Sequence, residues 1–185
     1  MKTIWDECGQ LYQYTEFKDL KFIVDEVIKN CDSVFEGACG TGILPTMLRK
    51  YGFKGDYLGS DYVDNFLSHA KANNPNEKFI QIDLLKPIPL ADNSFDAFVV
   101  RHGMEHIYPY ENTLREMKRI AQKKIILSFW VDFINRNFIK DQNFDVNHYD
   151  KKEYYDTIKK AGLEIIDDRY IMNENKVNNH ILILI

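Results

Sequence analysis

The segment Val34–Gly42, with the sequence Val-Phe-Glu-Gly-Ala-Cys-Gly-Thr-Gly, constrains the fold more than any other part of the chain. It predicts a short buried strand, a carboxylate at the strand end, a glycine-rich turn and then an amphipathic helix over residues 43–51. Glycine suits such a turn because side chains would keep a ligand from the backbone and because some positions need a positive φ. The free N–H groups at the helix start make the turn a polar binding site.

The spacing of the glycines argues against two common ligands. A dinucleotide-binding fingerprint requires G-x-G-x-x-G, but reading from Gly40 puts Pro45 where the third glycine belongs. A phosphate-binding P-loop ends in Gly-Lys-Ser/Thr, and no lysine occurs between Val34 and Arg49. The spacing therefore disfavours nucleoside triphosphates and NAD, and an NAD-dependent oxidoreductase stays only as an alternative.

Strands and helices alternate along the rest of the chain. The apolar periodicity predicts helices over 17–30, 43–51, 64–73, 110–121 and 151–161. It predicts strands over 33–36, 57–60, 78–82, 95–100, 124–130, 163–171 and 180–185. This order is typical of an α/β fold with a doubly wound, Rossmann-like parallel sheet.

Polar residues follow four successive predicted strands. Glu36, Asp61 and Asp83 end the first three, and Arg101 with His102 ends the fourth. In open α/β sheets ligands bind beyond the carboxyl ends of the strands, where the strand order reverses. We therefore expect these side chains to meet at one site, although Glu36 and Asp61 have simpler roles open to them as caps of the following turn and helix.

The motif acidic-Gly-x-x-Gly-x-Gly, formed by Glu36, Gly37, Gly40 and Gly42, resembles motif I of the class I S-adenosylmethionine-dependent methyltransferases. The resemblance covers roughly residues 30–130. Residues 55–61 resemble the family's second motif, and residues 82–84 resemble its adenine-contacting segment. Residues 95–107, with their Glu-His-Ile stretch, are similar to small-molecule methyltransferases of quinone biosynthesis.

The resemblance implies a seven-stranded, mostly parallel sheet whose last strand, over 180–185, runs antiparallel. It implies S-adenosyl-L-methionine as cofactor, with Asp61 on the ribose hydroxyls and Asp83 on the adenine amine. The residues it assigns to cofactor binding are Glu36, Gly37, Ala38, Cys39, Gly40, Gly42, Ser60, Asp61, Tyr62, Ile82, Asp83, Leu84, Arg101 and His102.

The activity implied is transfer of a methyl group to an oxygen, nitrogen or carbon of a small molecule. Such a transfer needs an aligned nucleophile, exclusion of water and, for some acceptors, a base. His102, Glu105 and His106 are the candidates for catalysis because they leave the fourth strand toward the predicted site. Histidines after a strand often have only structural roles, and Glu105 could face solvent. A catalytically silent cofactor-binding domain that serves as a partner subunit is a further alternative.

The composition of the chain indicates its domain number, its class of partner and its cellular location. A chain of 185 residues, 45% of them hydrophobic, has the size of a single domain over 1–185. A net charge of −4 without a basic run makes nucleic acid an unlikely partner. No apolar stretch predicts a signal peptide or membrane span, so we expect a cytoplasmic protein. Three cysteines, at positions 8, 31 and 39, fit neither a disulfide framework nor a metal site. The oligomeric state and the substrate stay open.

Two segments are candidates for closing the site. Residues 131–150 form a long connection that predicts either a lid or an extra helix packing Phe133, Phe138 and Phe144 on the core. The amino-terminal helical segment, residues 1–30, carries four aromatic residues that could cover a ligand or simply pack, namely Trp5, Tyr12, Tyr14 and Phe17.

Overall fold

The computed structural model describes residues 17–131, 133, 137–140, 145–173 and 178–185. The helices are α1 (Lys18–Asn30), α2 (Ile43–Lys50), α3 (Asp64–Asn73), α4 (Glu111–Ile120) and α5 (Lys151–Lys160). The strands are β1 (Ser33–Gly37), β2 (Asp56–Asp61), β3 (Lys78–Gln81), β4 (Phe95–Arg101), β5 (Ala121–Phe129), β6 (Asn137–Lys140), β7 (Asp145–His148), β8 (Ile165–Met172) and β9 (Asn178–Leu184). A 3₁₀ turn, Met104–His106, follows β4.

Seven of these strands form one sheet in the order β3-β2-β1-β4-β5-β9-β8. Strands β1 to β5 pair in parallel, and β9 runs antiparallel to both β5 and β8. The strand order reverses at β1, which pairs with β2 on one side and with β4 on the other. The carboxyl ends of β1 and β4 therefore flank the crevice in which doubly wound folds bind ligands.

Helices cover both faces of the sheet because each presents an apolar stripe. On one face, buried residues of α1, α2 and α3 such as Leu20, Leu48 and Leu67 pack together with Val34. On the other face, α4 and α5 bury Leu114 and Ile158 with their neighbours. The predicted doubly wound, mostly parallel sheet with an antiparallel last strand is thus confirmed.

The connection after β5 differs from one of its two predicted forms. Instead of an extra helix, the structure has the antiparallel pair β6–β7, with Asn137 opposite His148. Each strand has only four residues, and the β6 sequence Asn-Phe-Ile-Lys lacks the polar–apolar alternation that would have predicted a strand. Phe133 does pack on the core, against Phe129 and Tyr154. Phe144, Trp5, Tyr12 and Tyr14 lie outside the described residues, as does the side chain of Phe138.

Three simpler expectations can be compared with the described part of the chain. Cys31 and Cys39 are buried free thiols, as predicted. Within the described ranges, no three acidic, histidine or cysteine side chains gather where they could hold a metal ion. None of the described helices is long and apolar enough to cross a membrane.

Candidate functional site

A cavity of about 480 Å³ opens at the carboxyl ends of β1, β2, β3 and β4. Twelve of the predicted site residues line it: Glu36, Ala38, Cys39, Gly40, Asp61, Tyr62, Ile82, Asp83, Leu84, Arg101, His102 and His106. Gly37, Gly42, Ser60 and Glu105 do not. The four strand ends thus meet at one site, as the sequence predicts.

The glycine-rich turn wraps around one end of the cavity. Gly40 and Gly42 have φ values of +54° and +80°, which side chains rarely adopt, so part of the reason for glycine is confirmed. The backbone N–H of Cys39 donates to the carbonyl of Ser60 at 2.8 Å, which ties the turn to the end of β2. A Cβ at Gly40 would meet no protein atom within 4 Å, so the space that a side chain would occupy at this residue is open to a ligand.

Asp61 joins the turn to the cavity. Its Oδ2 accepts from the backbone N–H of Gly40 and its Oδ1 from that of Val63, each at 2.9 Å. The second bond is a local turn contact that precedes α3, whose N-cap residue Val63 has no side-chain cap, so the capping role that the sequence left open to Asp61 is not observed. Burial raises the pKa of the Asp61 carboxyl, although the backbone N–H donors counteract this effect. Ligand binding by its remaining lone pairs stays a prediction.

Glu36 is the most buried acidic group in the cavity wall, with 2% of its surface exposed. Its carboxyl accepts a hydrogen bond from the hydroxyl of Tyr57. Burial raises the pKa of Glu36 to about 8, although the Tyr57 hydrogen bond and the charge of Arg101 lower it. An empty site therefore holds Glu36 mostly protonated at neutral pH.

The segment after β3 supplies an apolar wall with one acid at its edge. Ile82 and Leu84 are buried and face the cavity on either side of Asp83. The Thr113 hydroxyl donates to the Leu84 carbonyl at 2.8 Å, which fixes this wall against α4. Asp83 Oδ1 accepts from the backbone N–H of Leu85 at 3.0 Å. An apolar wall beside a carboxylate suits a purine ring with an exocyclic amine, as the resemblance implies.

Arg101 lines the cavity at the end of β4 but directs its guanidinium to Asp19 on α1. Arg101 Nε lies 2.6 Å from Asp19 Oδ2, and the Asp19 carboxylate is fully buried. Asn173 Nδ2 donates to the other Asp19 oxygen at 2.8 Å. The guanidinium also stacks over the Phe17 ring, with its carbon 5.2 Å from the centroid. Arg101 thus joins the first turn of α1 to the cavity wall.

His102 does not have the pKa near neutrality that suits a general base. Burial and the positive charge of Arg101 lower its pKa to about 3, although Asp19 and Asn179 act in the opposite direction. Its Nε2 lies 2.6 Å from Asn179 Oδ1, and because an amide oxygen only accepts, this nitrogen donates. His102 also has a φ of +57°. The ring is therefore neutral and held in one orientation at physiological pH.

Glu105 and His106 occupy different environments despite being adjacent. Glu105 is fully buried rather than facing solvent, and its Oε1 accepts from the backbone N–H of Trp130 at 2.7 Å. Burial raises the pKa of Glu105 to about 7. Glu105 does not line the cavity. His106 lines the cavity itself and is partly exposed.

Seven residues line the cavity without having been predicted, namely Thr41, Ile43, Val63, Phe66, Leu85, Gly103 and Ile107. Most are sequence neighbours of predicted residues, so widening each motif by one or two positions would have found them. Phe66 belongs to the first turn of α3, and only the packing of that helix brings it to the cavity. Asp19, Asn173 and Asn179 give no local signal because their partners lie far along the chain.

The chemistry of this site fits S-adenosylmethionine. Three carboxyl groups, on Glu36, Asp61 and Asp83, face a cavity whose one cationic side chain among the described residues, Arg101, is neutralised by Asp19. An acidic cavity favours an amine and a sulfonium and opposes a pyrophosphate. A volume of about 480 Å³ lies within the range for ligands of nucleoside size.

Comparison with known proteins agrees with this assignment. A family model described as a methyltransferase domain matches residues 35–129. A 2-phytyl-1,4-naphtoquinone methyltransferase from Nostoc sp. is 30% identical over 108 residues, which cover 53% of this chain and 47% of the relative. A demethylmenaquinone methyltransferase from Staphylococcus aureus is 34% identical over 88 residues, 45% of this chain and 36% of the relative. The chain thus spans about half the length, or less, of these curated relatives.

Solved structures share the fold at low sequence identity. A SAM-dependent methyltransferase from Aquifex aeolicus has a TM-score of 0.73 at 18% identity, with full coverage of both chains. The 1,6-didemethyltoxoflavin-N1-methyltransferase from Burkholderia thailandensis, solved with S-adenosylhomocysteine, has a TM-score of 0.73 at 10% identity over 90% of this chain and 76% of that one. The sheet order, the acidic strand ends and the family match together show that this chain belongs to the class I S-adenosylmethionine-dependent methyltransferase family.

Proposed function

We propose that this protein transfers a methyl group from S-adenosylmethionine to an oxygen, nitrogen or carbon atom of a small molecule. The observation that carries the proposal is the family match over residues 35–129, within which the acidic strand ends line one cavity. Membership of a methyltransferase family argues against the NAD-dependent oxidoreductase. Pro45, in place of the third glycine, gives a second reason against it.

The residues of the chain would hold the cofactor by charge and shape. Asp61 would accept from the ribose hydroxyls, and Ile82 and Leu84 would pack against the adenine ring with Asp83 at its edge; all four residues line the cavity. Glu36 and the uncovered backbone of Gly40 would face the amino-acid end of the cofactor. When bound, the cofactor supplies an electrophilic methyl group on a positive sulfur. The protein must then align the acceptor and exclude water.

Among the three candidate catalytic residues, His106 is the best placed to take a proton from an acceptor. It lines the cavity, whereas Glu105 lies behind the wall, bonded to the backbone of Trp130. His102 is a weak base because its pKa lies far below neutrality. Glu105 would act on the site only indirectly, through the turn that carries His106.

We further propose an aromatic, quinol-like acceptor. The support is the 2-phytyl-1,4-naphtoquinone and demethylmenaquinone in the names of two curated relatives, together with the apolar lining contributed by Phe66, Leu85 and Ile107. An apolar lining with a few polar groups is typical of sites for flat, weakly polar ligands.

The test is to incubate the purified protein with methyl-labelled S-adenosylmethionine and reduced naphthoquinones, hydroxylated aromatics and aromatic amines. The expected result is a labelled product from at least one class, with much less from an Asp61→Ala variant. An Asp156→Ala variant is the matched control, since Asp156 is exposed and does not line the cavity. Binding of S-adenosylhomocysteine without product from any class would favour the catalytically silent alternative.

A further inference from the structure

The hydroxyl of Tyr57 is the one side-chain hydrogen-bond partner of the Glu36 carboxyl within the part of the chain that the structure describes. Tyr57 is 5% exposed and does not line the cavity, so it reaches Glu36 from behind the wall. Both residues lie on adjacent parallel strands, β1 and β2. Neither the family motif nor the cavity assigns Tyr57 a role.

A glycine on β2 leaves room for the Tyr57 hydroxyl beside Glu36. Gly59 lies directly opposite Glu36 in the β1–β2 register. A Cβ at Gly59 would come within 2.7 Å of the Tyr57 hydroxyl and equally close to the Phe79 ring. The Phe79 ring packs edge-on against Tyr57, with centroids 5.9 Å apart. Gly59 therefore leaves space for the Tyr57 hydroxyl, and the Phe79 ring holds Tyr57 beside the Glu36 carboxyl.

The ionisable groups around Glu36 give it no cationic partner of its own. From β2 it faces Tyr57 and Asp61, from β4 it faces Arg101, and from the glycine turn it faces the Cys39 thiol. Arg101 forms its ion pair with Asp19, and Glu36 forms no ion pair within the described ranges. Burial raises the pKa of Cys39, so the thiol stays neutral. Asp61 adds negative charge. The empty site therefore favours a protonated Glu36.

We propose that Tyr57 is a positioning residue that holds the Glu36 carboxyl toward the cavity, and that cofactor binding expels the proton which Glu36 carries in the empty site. The inference rests on the proposed function, because the cofactor's amine supplies the cation. On binding, the Glu36 O–H bond breaks, its electrons stay on the carboxylate and the proton passes to the buffer. The resulting carboxylate accepts from Tyr57 and attracts the ammonium group.

The sign of the pH dependence follows. Below about pH 8 the cation must displace a proton, so affinity should rise about tenfold for each pH unit and then level off above it. Removing the Tyr57 hydroxyl deprives the carboxylate of its donor and raises the Glu36 pKa further. The levelling point should then move to higher pH, and affinity near pH 7 should fall about tenfold for each unit of that move.

The experiment is calorimetric titration of the whole protein with S-adenosylhomocysteine between about pH 6 and pH 8.5, in buffers of different ionisation enthalpy that report proton release. Tyr57→Phe should bind more weakly at neutral pH and recover at high pH. Glu36→Gln should bind weakly without a rising limb, which also corrects for titration of the ligand's own amine. Tyr154→Phe, the same change at a fully buried tyrosine that does not line the cavity, should match the wild type.

Two outcomes would overturn the inference while sparing the proposed function. One is a dissociation constant that does not vary with pH in the wild type, with no proton released. The other is a Tyr57→Phe protein that binds more weakly by the same factor at every pH, because a merely structural tyrosine would not move the levelling point. Failure of S-adenosylhomocysteine to bind at any pH would instead overturn the proposed function, and the inference with it.

Discussion

Replacing Asp19 with asparagine should destabilise the protein by about 3–5 kcal/mol, the cost of removing one partner from a buried ion pair. Arg101 Nε lies 2.6 Å from Asp19 Oδ2, and the two side chains are 9% and 0% exposed. The variant would leave the guanidinium charged in a place with little access to water. Asparagine keeps the volume and can still accept from Asn173 Nδ2, so the loss reports mainly the missing charge.

The assay is urea unfolding followed by circular dichroism near neutral pH, with the exposed pair Lys152–Asp156 as a matched control. These two side chains are 85% and 50% exposed although their charged atoms lie 2.6 Å apart. Asp156→Asn should leave the free energy of unfolding nearly unchanged, because solvent screens such pairs. Equal losses in the two variants would refute the reasoning that burial makes the Asp19–Arg101 pair strong.

The pH dependence gives a second check on the same pair. Burial alone would raise the pKa of Asp19, but the charge and hydrogen bonds of Arg101 outweigh it and hold the pKa below the usual value. A depressed pKa stabilises the fold fully above the unfolded pKa of about 4, and this contribution is lost as the pH falls through the folded value. The difference in stability between wild type and Asp19→Asn should therefore be constant above that pH and shrink below it. A difference that grows on acidification would contradict the assignment.

Three further predictions concern the cavity and the glycine-rich turn beside it. Asp61→Ala should weaken S-adenosylhomocysteine binding by roughly 1–3 kcal/mol in calorimetry, and unchanged affinity would remove Asp61 from the site. Gly42→Ala should lower the free energy of unfolding by at least about 1 kcal/mol more than Gly52→Ala. Both glycines have positive φ, but only at Gly42 would a Cβ overlap Asn74. Equal losses of stability in urea unfolding would disprove that overlap. The ring proton shifts of His102 should stay constant in NMR spectra between about pH 5 and pH 8, and a midpoint near neutrality would contradict its burial.

The fold was predictable because its information is local. The apolar stripe of α2 and the buried run of β4 are each readable within a single window of sequence, and the observed bounds differ from the predicted ones by only a few residues. The β6–β7 pair was harder to predict, since two strands of four residues each give little periodic signal.

The site was predictable where chain topology alone brings residues together. Glu36, Asp61 and Asp83 meet because parallel strands end at one edge of a sheet, a rule that needs no knowledge of packing. The partners of Arg101 and His102 were not predictable, because Asp19 and Asn179 are 82 and 77 residues away and have ordinary local surroundings.

The amino-acid sequence by itself determined the order of strands and helices, the glycine turn and the acids at the strand ends, because periodicity, backbone preference and parallel connection act over short stretches. Only the tertiary structure decided the charge states at the site. The pKa of Glu36 is raised and that of His102 is lowered because burial and distant groups change the free energy of ionisation, and neither the burial of a side chain nor its distance from remote groups can be read from neighbouring residues.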